Sequence, residues 1–382
     1  MPASWDIFCK VVDNYGDIGV TWRLARQLAD EHGLAVRLWV DHPEPLARLW
    51  PQVDASLPAQ EVAGVDVRRW DAAADKAGPA GVVIEAFGCE PPAEYVARMA
   101  GAASAPAWIN LEYLSAEPWV DQHHGLASPH PRLPLIKYFF FPGFTRATGG
   151  LLRERDLFAA RDARRADPAG EVAYWRSLGI APRAPDEIRV SLFAYENPAI
   201  AGLLDAWSAG ESPVLCLVPE GRAPPEVAAF FGRERIAAGD SLARGRLTVR
   251  LIPFTDQTGY DRLLWSCDWN FVRGEDSFVR GQWAARPLVW HIYPQGGEAH
   301  HAKLMAFWQR YSVGLGLPAS AALKSIWRGW NGMGAPDWRD SWNTVAQSGP
   351  ALALHAAQWA RTQANTPDLA SQLVEFAGKV AR

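Results

Sequence analysis

A chain of 382 residues is longer than one hydrophobic core usually serves, so two domains are expected. Its 38 Lys and Arg against 42 Asp and Glu give a net charge of −4, which excludes a global basic field for nucleic acid, while 49% hydrophobic residues supply ample core. No apolar run is long enough to span a bilayer, and the opening MPASWDIFCKVV lacks the basic and apolar regions of a signal peptide, so a soluble, cytoplasmic protein with no membrane partner is expected. Cys9, Cys89, Cys216 and Cys267 form no C-x-x-C pair and read as reduced thiols, neither bridged nor metal-bound. Trp5, Trp39, Trp265 and Trp269, among 19 Trp, are spaced as core or groove wall.

In chain order, Ile7 to Val12 reads as a strand that runs into Asp13, Asn14, Tyr15, Gly16, Asp17, Ile18 and Gly19. Val20, Leu24, Ala25 and Leu28 then recur at helical spacing as far as a C-cap at Gly33, and Ala35 to Val40 is a second strand. The first turn is weaker than a dinucleotide fingerprint, because G-x-x-G lacks one glycine and its aspartates would repel a phosphate; it suits catalysis or sugar contact instead. Val65 to Trp70, Val82 to Phe87 and Ala107 to Leu111 continue a mostly parallel series. Ser115 to Gly150 breaks the alternation as one long connection, a length that tends to be functional. Its His123, His124 and His130 match no standard metal spacing and read as solvated or hydrogen-bonded.

Charged, Ala-rich helices from Arg153 to Arg176 lead to a linker, GIAPRAPD, at 179–186. A second series follows, with strands at Arg189 to Phe193, Pro213 to Val218, Leu247 to Ile252, Trp269 to Val272 and Leu288 to Ile292. Helices fill the gaps at Pro198 to Trp207, Glu226 to Arg233, Asp256 to Cys267 and Ser277 to Ala285, and the chain is helical after Glu298. In the βαβ unit from Asp268 to Gln295 the strand becomes helix at Arg273, Gly274, Glu275, Asp276 and Ser277, where the helix N-terminus offers unpaired N–H groups to an anion. Asp276 or Ser277 could serve only as an N-cap and Glu275 only as a first-turn charge. The flanking Arg273 and Arg280, and the second acidic turn at Asp13 and Asp17, favour a site.

The pattern is α/β: two Rossmann-like domains in series, 1–178 and 187–382, joined by the linker and ending in a helical tail. That pattern resembles the GT-B glycosyltransferase architecture, which implies two domains facing across a cleft, the acceptor mainly in the N-terminal one and the donor nucleotide in the C-terminal one. Fold alone does not establish activity.

Specific motifs go further. D-N-Y-G-D-I-G-V near the N-terminus, N-L-E-Y-L-S-A-E from Asn110, K-Y-F-F-F-P-G-F then T-G-G-L-L-R-E, S-L-F-A-Y-E-N from Ser191 and R-G-E-D-S-F-V-R-G-Q-W-A from Arg273 resemble the bacterial protein-arginine rhamnosyltransferases that modify elongation factor P, the EarP family. The resemblance covers nearly the whole chain. It implies an inverting GT-B enzyme that moves L-rhamnose from dTDP-β-L-rhamnose to one arginine of elongation factor P, with no metal or other cofactor. It also implies Asp13, Asp17 and Glu275 as catalytic carboxylates, and donor binding by Phe193, Tyr195, Phe254, Gln257, Arg273, Asp276, Ser277 and Tyr293.

The chemistry makes demands of its own. Moving a guanidinium proton fully to an ordinary Asp spans roughly 9 to 10 pKa units, about 12 to 13 kcal/mol, which disfavours prior deprotonation. The more economical scheme has one carboxylate orient the guanidinium while another takes the proton as the C–N bond forms, with Asp17 expected as that base and Asp13 and Glu275 expected to position guanidinium or sugar. Arg273, the Ser277 hydroxyl and the helix N–H groups would stabilise the leaving diphosphate, and Phe193 or Phe254 could stack on thymine or be core. Two alternatives share the pattern: a GT-B enzyme for a lipid, glycan or small-molecule acceptor, and a non-catalytic nucleotide-sugar-binding regulator. The absence of an evident basic amphipathic helix weighs against the first, and the three carboxylates weigh against the second.

Overall fold

The structure is a computed structural model that describes residues 4–13, 15–71, 74–221 and 223–381, with Asp75 described by its backbone alone. Asn14, part of the first acidic turn, lies outside the described residues. The chain divides into two compact units, Met1–Arg155 with Gln363–Arg382, and Asp156–Thr362.

The first unit runs β1 (Ser4–Cys9), α1 (Gly16–His32), β2 (Ala35–Val40), α2 (Glu44–Leu49), β3 (Ala59–Val62), β4 (Val65–Arg69), β5 (Val82–Ala86), α3 (Ala93–Ala100), β6 (Ala107–Leu111), α4 (Val120–His123), β7 (Ala127–Pro129) and β8 (Ile136–Phe140). The strands form one sheet in the order β3-β4-β2-β1-β5-β6-β8-β7, parallel except at its two edges. β5 (VVIEA) and β6 (AWINL) are buried along their whole length, as parallel strands covered on both faces must be. The order reverses at β1, which pairs with β2 on one side and β5 on the other, so the turn after β1 opens at the switch point where such sheets bind ligands.

Two expectations shift here. β1 ends at Cys9, not Val12, because Val11 N–H donates to Asp41 Oδ1 at 2.9 Å and Val12 N–H to Asp17 Oδ2 at 2.8 Å; side-chain carboxylates replace a neighbouring strand as acceptors. The long connection from Ser115 to Gly150 is not irregular throughout. Its KYFFF run is β8, which adds to β6 in parallel and folds back on the short β7, and the alternation was masked by Pro and aromatic residues on both sides.

The second unit comprises α5 (Leu157–Arg165), α6 (Pro168–Ser177), β9 (Ile188–Leu192), α7 (Ala199–Ser208), β10 (Val214–Pro219), α8 (Pro224–Phe230), β11 (Ser241–Arg244), β12 (Leu247–Ile252), α9 (Gln257–Ser266), β13 (Trp269–Arg273), α10 (Asp276–Trp283), β14 (Leu288–His291), α11 (Ala299–Tyr311), α12 (Ala319–Trp330), α13 (Trp338–Gln347) and most of α14 (Gly349–Ala364). The sheet order is β11-β12-β10-β9-β13-β14, parallel but for β11, and it reverses at β9.

The division between the units falls after Arg155, ahead of the 179–186 linker expected as the boundary. The physical reason lies in α5 and α6. Arg161 Nη1 donates to the carbonyl of Trp283 at 2.8 Å, Arg165 Nη2 donates to that of Ala284, and Trp175 packs with Leu215, Leu217, Ile252, Leu263 and Cys267. The tail also departs from expectation. Its last helix, α15 (Leu369–Val380), belongs to the first unit, where Gln27 Nε2 donates to Asp368 Oδ1 at 3.1 Å and Phe376 packs edge-on against Phe140.

All four cysteines are free thiols; Cys9, Cys216 and Cys267 are buried and Cys89 half-buried. Trp5, Trp39, Trp265 and Trp269 are all core residues. Among the described residues no helix is long and apolar enough to cross a membrane.

Candidate active site

In the first unit the turn between β1 and α1 is built around one carboxylate. Asp17, 2% exposed in the first turn of α1, accepts the N–H groups of Val12 and Asp13 on Oδ2, both at 2.8 Å, and the Tyr113 hydroxyl on Oδ1 at 3.1 Å. A Cβ at Gly16 would stand 2.6 Å from Asp13 Oδ2, so the Asp13 carboxylate packs closely over this glycine. Asp13 itself is half-buried beside it. Tyr113, just beyond β6, stacks on Phe87, just beyond β5, with centroids 4.4 Å apart and planes at 14°, so an aromatic pair stands next to the carboxylate.

Asp17 differs from the other buried carboxylates of this sheet. Asp6 in β1 is held bidentately by Arg37 at 2.5 and 2.6 Å and receives the Tyr95 hydroxyl, and Glu85 in β5 is held by Lys137 at 2.7 Å and the Trp108 indole N–H at 3.1 Å. Burial pushes the Glu85 carboxyl above its ordinary range against the pull of Lys137. These two are structural ion pairs. Asp17, by contrast, has only neutral donors among the described residues. A buried carboxylate without a cation is the complement of a cationic ligand.

In the second unit every residue expected at the donor site lies at the C-terminal edge of the sheet: Phe193 and Tyr195 beyond β9, Phe254 and Gln257 beyond β12, Arg273 at the end of β13 with Asp276 and Ser277 beyond it, and Tyr293 beyond β14. Gly274 takes φ 60°, which lets β13 turn into α10 within two residues, and the Trp290 indole N–H fixes the turn by donating to the Gly274 carbonyl at 2.7 Å. Ser277 closes the same turn: its hydroxyl accepts the Arg273 N–H at 2.9 Å and donates to the Arg273 carbonyl. Glu275 and Asp276 are half-buried at the helix N-terminus.

The Arg273 guanidinium is 5% exposed and lies over two rings, 4.2 Å from the Phe193 centroid and 4.8 Å from that of Tyr195, with Nη1 donating to the Ala194 carbonyl at 3.1 Å. Gln257 begins α9 and donates to Asp276 Oδ2 at 3.3 Å, joining two helix N-termini. Phe254 is half-buried, and Tyr293, 40% exposed, meets Tyr195 edge-on at 5.6 Å. A fixed cation, a ring of aromatics and a helix N-terminus together suit an anionic, flat-based ligand such as a nucleotide.

Arg280, read with Arg273 as flanking the turn, points elsewhere. Its Nε and Nη2 grip Asp261 of α9 at 2.9 and 2.7 Å, a buried pair that clamps α9 to α10. The histidines of the long connection also serve the backbone. His123 contacts the Trp119 carbonyl, His124 accepts the Phe141 N–H and His130 those of Arg132 and Leu133, and no metal-sized cluster of His, Cys, Asp or Glu occurs among the described residues. Sequence reasoning missed Phe87 and Tyr113. Both follow parallel strands, β5 and β6, and that position at a strand's C-terminal end was the signal available.

Two doubly wound sheets with sites at their switch points define a class of protein. The calicheamicin glycosyltransferase CalG4 has this fold, with 13% identity, complete coverage of both chains and a TM-score of 0.53. The architecture is that of GT-B glycosyltransferases. A family model described as Elongation-Factor P (EF-P) rhamnosyltransferase EarP matches residues 5–378, and the chain belongs to that family. It is 51% identical over 376 residues to a protein-arginine rhamnosyltransferase of Pseudomonas putida, covering 98% of this chain and 99% of the relative. It is also similar to a solved structure presented as the structural basis for EarP-mediated arginine glycosylation of translation elongation factor EF-P, with 39% identity, a TM-score of 0.71 and 99% of each chain covered.

Proposed function

We propose that the chain transfers L-rhamnose from dTDP-β-L-rhamnose to an arginine side chain of elongation factor P, in the cytoplasm, with inversion at the anomeric carbon and without a metal. The observation that carries this reading is Asp17, a buried carboxylate held by neutral donors and left without a cation among the described residues. A guanidinium supplies the missing charge and reaches the lone pairs still open on Oδ1.

In the proposed step an arginine nitrogen attacks C1 of rhamnose from the face opposite the diphosphate. The C1–O bond breaks, its electron pair leaves with dTDP, and the N–H proton passes to Asp17 as the C–N bond forms. Asp13 and Glu275 orient guanidinium or sugar. Arg273 and the first N–H groups of α10 take up the charge growing on the departing phosphate oxygen, while Phe193, Tyr195, Phe254, Gln257, Asp276, Ser277 and Tyr293 complete the donor site.

The test is incubation of the purified protein with dTDP-β-L-rhamnose and unmodified elongation factor P, followed by intact mass. A gain of one deoxyhexose on one arginine is expected. Nucleotide binding without transfer would point to a regulator, and transfer to another acceptor would reassign the substrate.

A further inference from the structure

His291 ends β14 beside Arg273, its register partner at the end of β13, so the two side chains stand on the same face of the sheet. The imidazole is 6% exposed, meets Tyr195 edge-on at 5.2 Å and lies 5.9 Å from Trp330. Tyr195 thus has the Arg273 guanidinium on its ring and His291 at its edge. The backbone on both sides of His291 is fixed by one buried side chain: Asn331 Nδ2 donates to the Trp290 carbonyl at 2.8 Å, and Asn331 Oδ1 accepts the Ile292 N–H at 3.0 Å. Yet Nδ1 of His291 is buried with no hydrogen-bond partner among the described residues.

A buried polar atom without a partner is costly and uncommon. Burial, reinforced by the charges of Arg273 and His300, holds the imidazole down to about 3, so it is neutral at physiological pH. A neutral imidazole has one N–H to donate and one lone pair to accept, and it adds no charge beside Arg273.

We propose that His291 is a further donor-site residue, whose uncharged imidazole hydrogen-bonds the diphosphate of a nucleoside diphosphate sugar alongside Arg273. The inference rests on the donor site proposed above. Arg273 supplies the charge and His291 a directed hydrogen bond, which fixes the phosphate orientation from a second strand.

The test uses the full chain enriched in nitrogen-15 histidine, titrated with dTDP and separately with thymidine, the His291 signals being assigned by their loss in His291→Phe. Ring-nitrogen shifts with dTDP that thymidine does not reproduce are expected, together with at least a tenfold weaker dTDP affinity in His291→Phe by calorimetry. Equal response to both ligands, or none to dTDP, overturns the inference, and the titration of the unaltered protein decides the matter even where the variant folds poorly. Arg273→Ala separates the two levels: loss of dTDP binding there with an indifferent His291 removes only this inference, whereas unchanged binding in Arg273→Ala removes the donor site itself.

Discussion

Asp6, Glu85 and Asp17 are buried carboxylates of one unit with different electrostatic fates. Arg37 and Lys137 neutralise the first two, and nothing among the described residues neutralises the third. Asp17→Asn keeps the volume but replaces an acceptor with an amide that cannot take a proton. Transfer to elongation factor P should fall by about 10²-fold or more, while Tyr113→Phe, which removes one neutral donor, should cost less than about tenfold. Steady-state kinetics by intact mass check both, and near-normal turnover in Asp17→Asn would refute its role as base. His291 offers a second residue-scale prediction. Its folded pKa is depressed to about 3 from 6.5, so below pH 6.5 the unfolded chain binds the proton first and stability drops as pH falls. Between pH 6.5 and 5 this contributes roughly 2 kcal/mol of lost stability. Denaturant midpoints of His291→Phe should therefore change less over that interval than those of the unaltered chain; parallel slopes would contradict the depressed titration.

The turn from β13 to α10 shows how an element is set by contacts its own sequence does not declare. Gly274 permits the left-handed residue, but Trp290 from the next strand and Asp261 from the preceding helix hold the geometry. Removing Asp261 takes away the carboxylate that both Nε and Nη2 of the buried Arg280 guanidinium grip. Asp261→Ala should destabilise the second unit by about 3 to 5 kcal/mol, read as a shift in the urea transition. A change below the scatter of such transitions would show the pair to be dispensable.

At the scale of the whole molecule, the chain leaves its first unit after Arg155, builds the second and returns at Gln363. The returning helix buries Leu369, Ala370, Leu373 and Ala377, and Leu369 N–H donates to the Leu151 carbonyl at 3.0 Å. Truncation after Thr362 should make the first unit, and not the second, open to limited proteolysis. Leu373→Ala should cost about 2 to 4 kcal/mol in thermal unfolding. Protection of residues 4–155 in the truncated chain would sink the prediction.

How much of this was legible depended on how local its cause was. Ala35–Val40, Ala107–Leu111 and Leu247–Ile252 match the strands read from the sequence, and Gly33 caps α1 as expected with φ 62°, because pleat alternation, helical spacing and a left-handed glycine are written within a few residues of themselves. The acidic turn and the Arg273 to Ser277 turn were legible for the same reason. The strand hidden in KYFFF, the return of α15 and the contrast between Asp17 and Asp6 were not. Each is fixed by partners far away in the chain, Ile109 for Tyr138, Gln27 for Asp368, Arg37 for Asp6. The amino-acid sequence by itself determined most of the central strands and helices, the family and the chemistry on offer at two turns. Only tertiary structure decided which buried charges are cancelled, since cancellation needs a counter-charge delivered from another element.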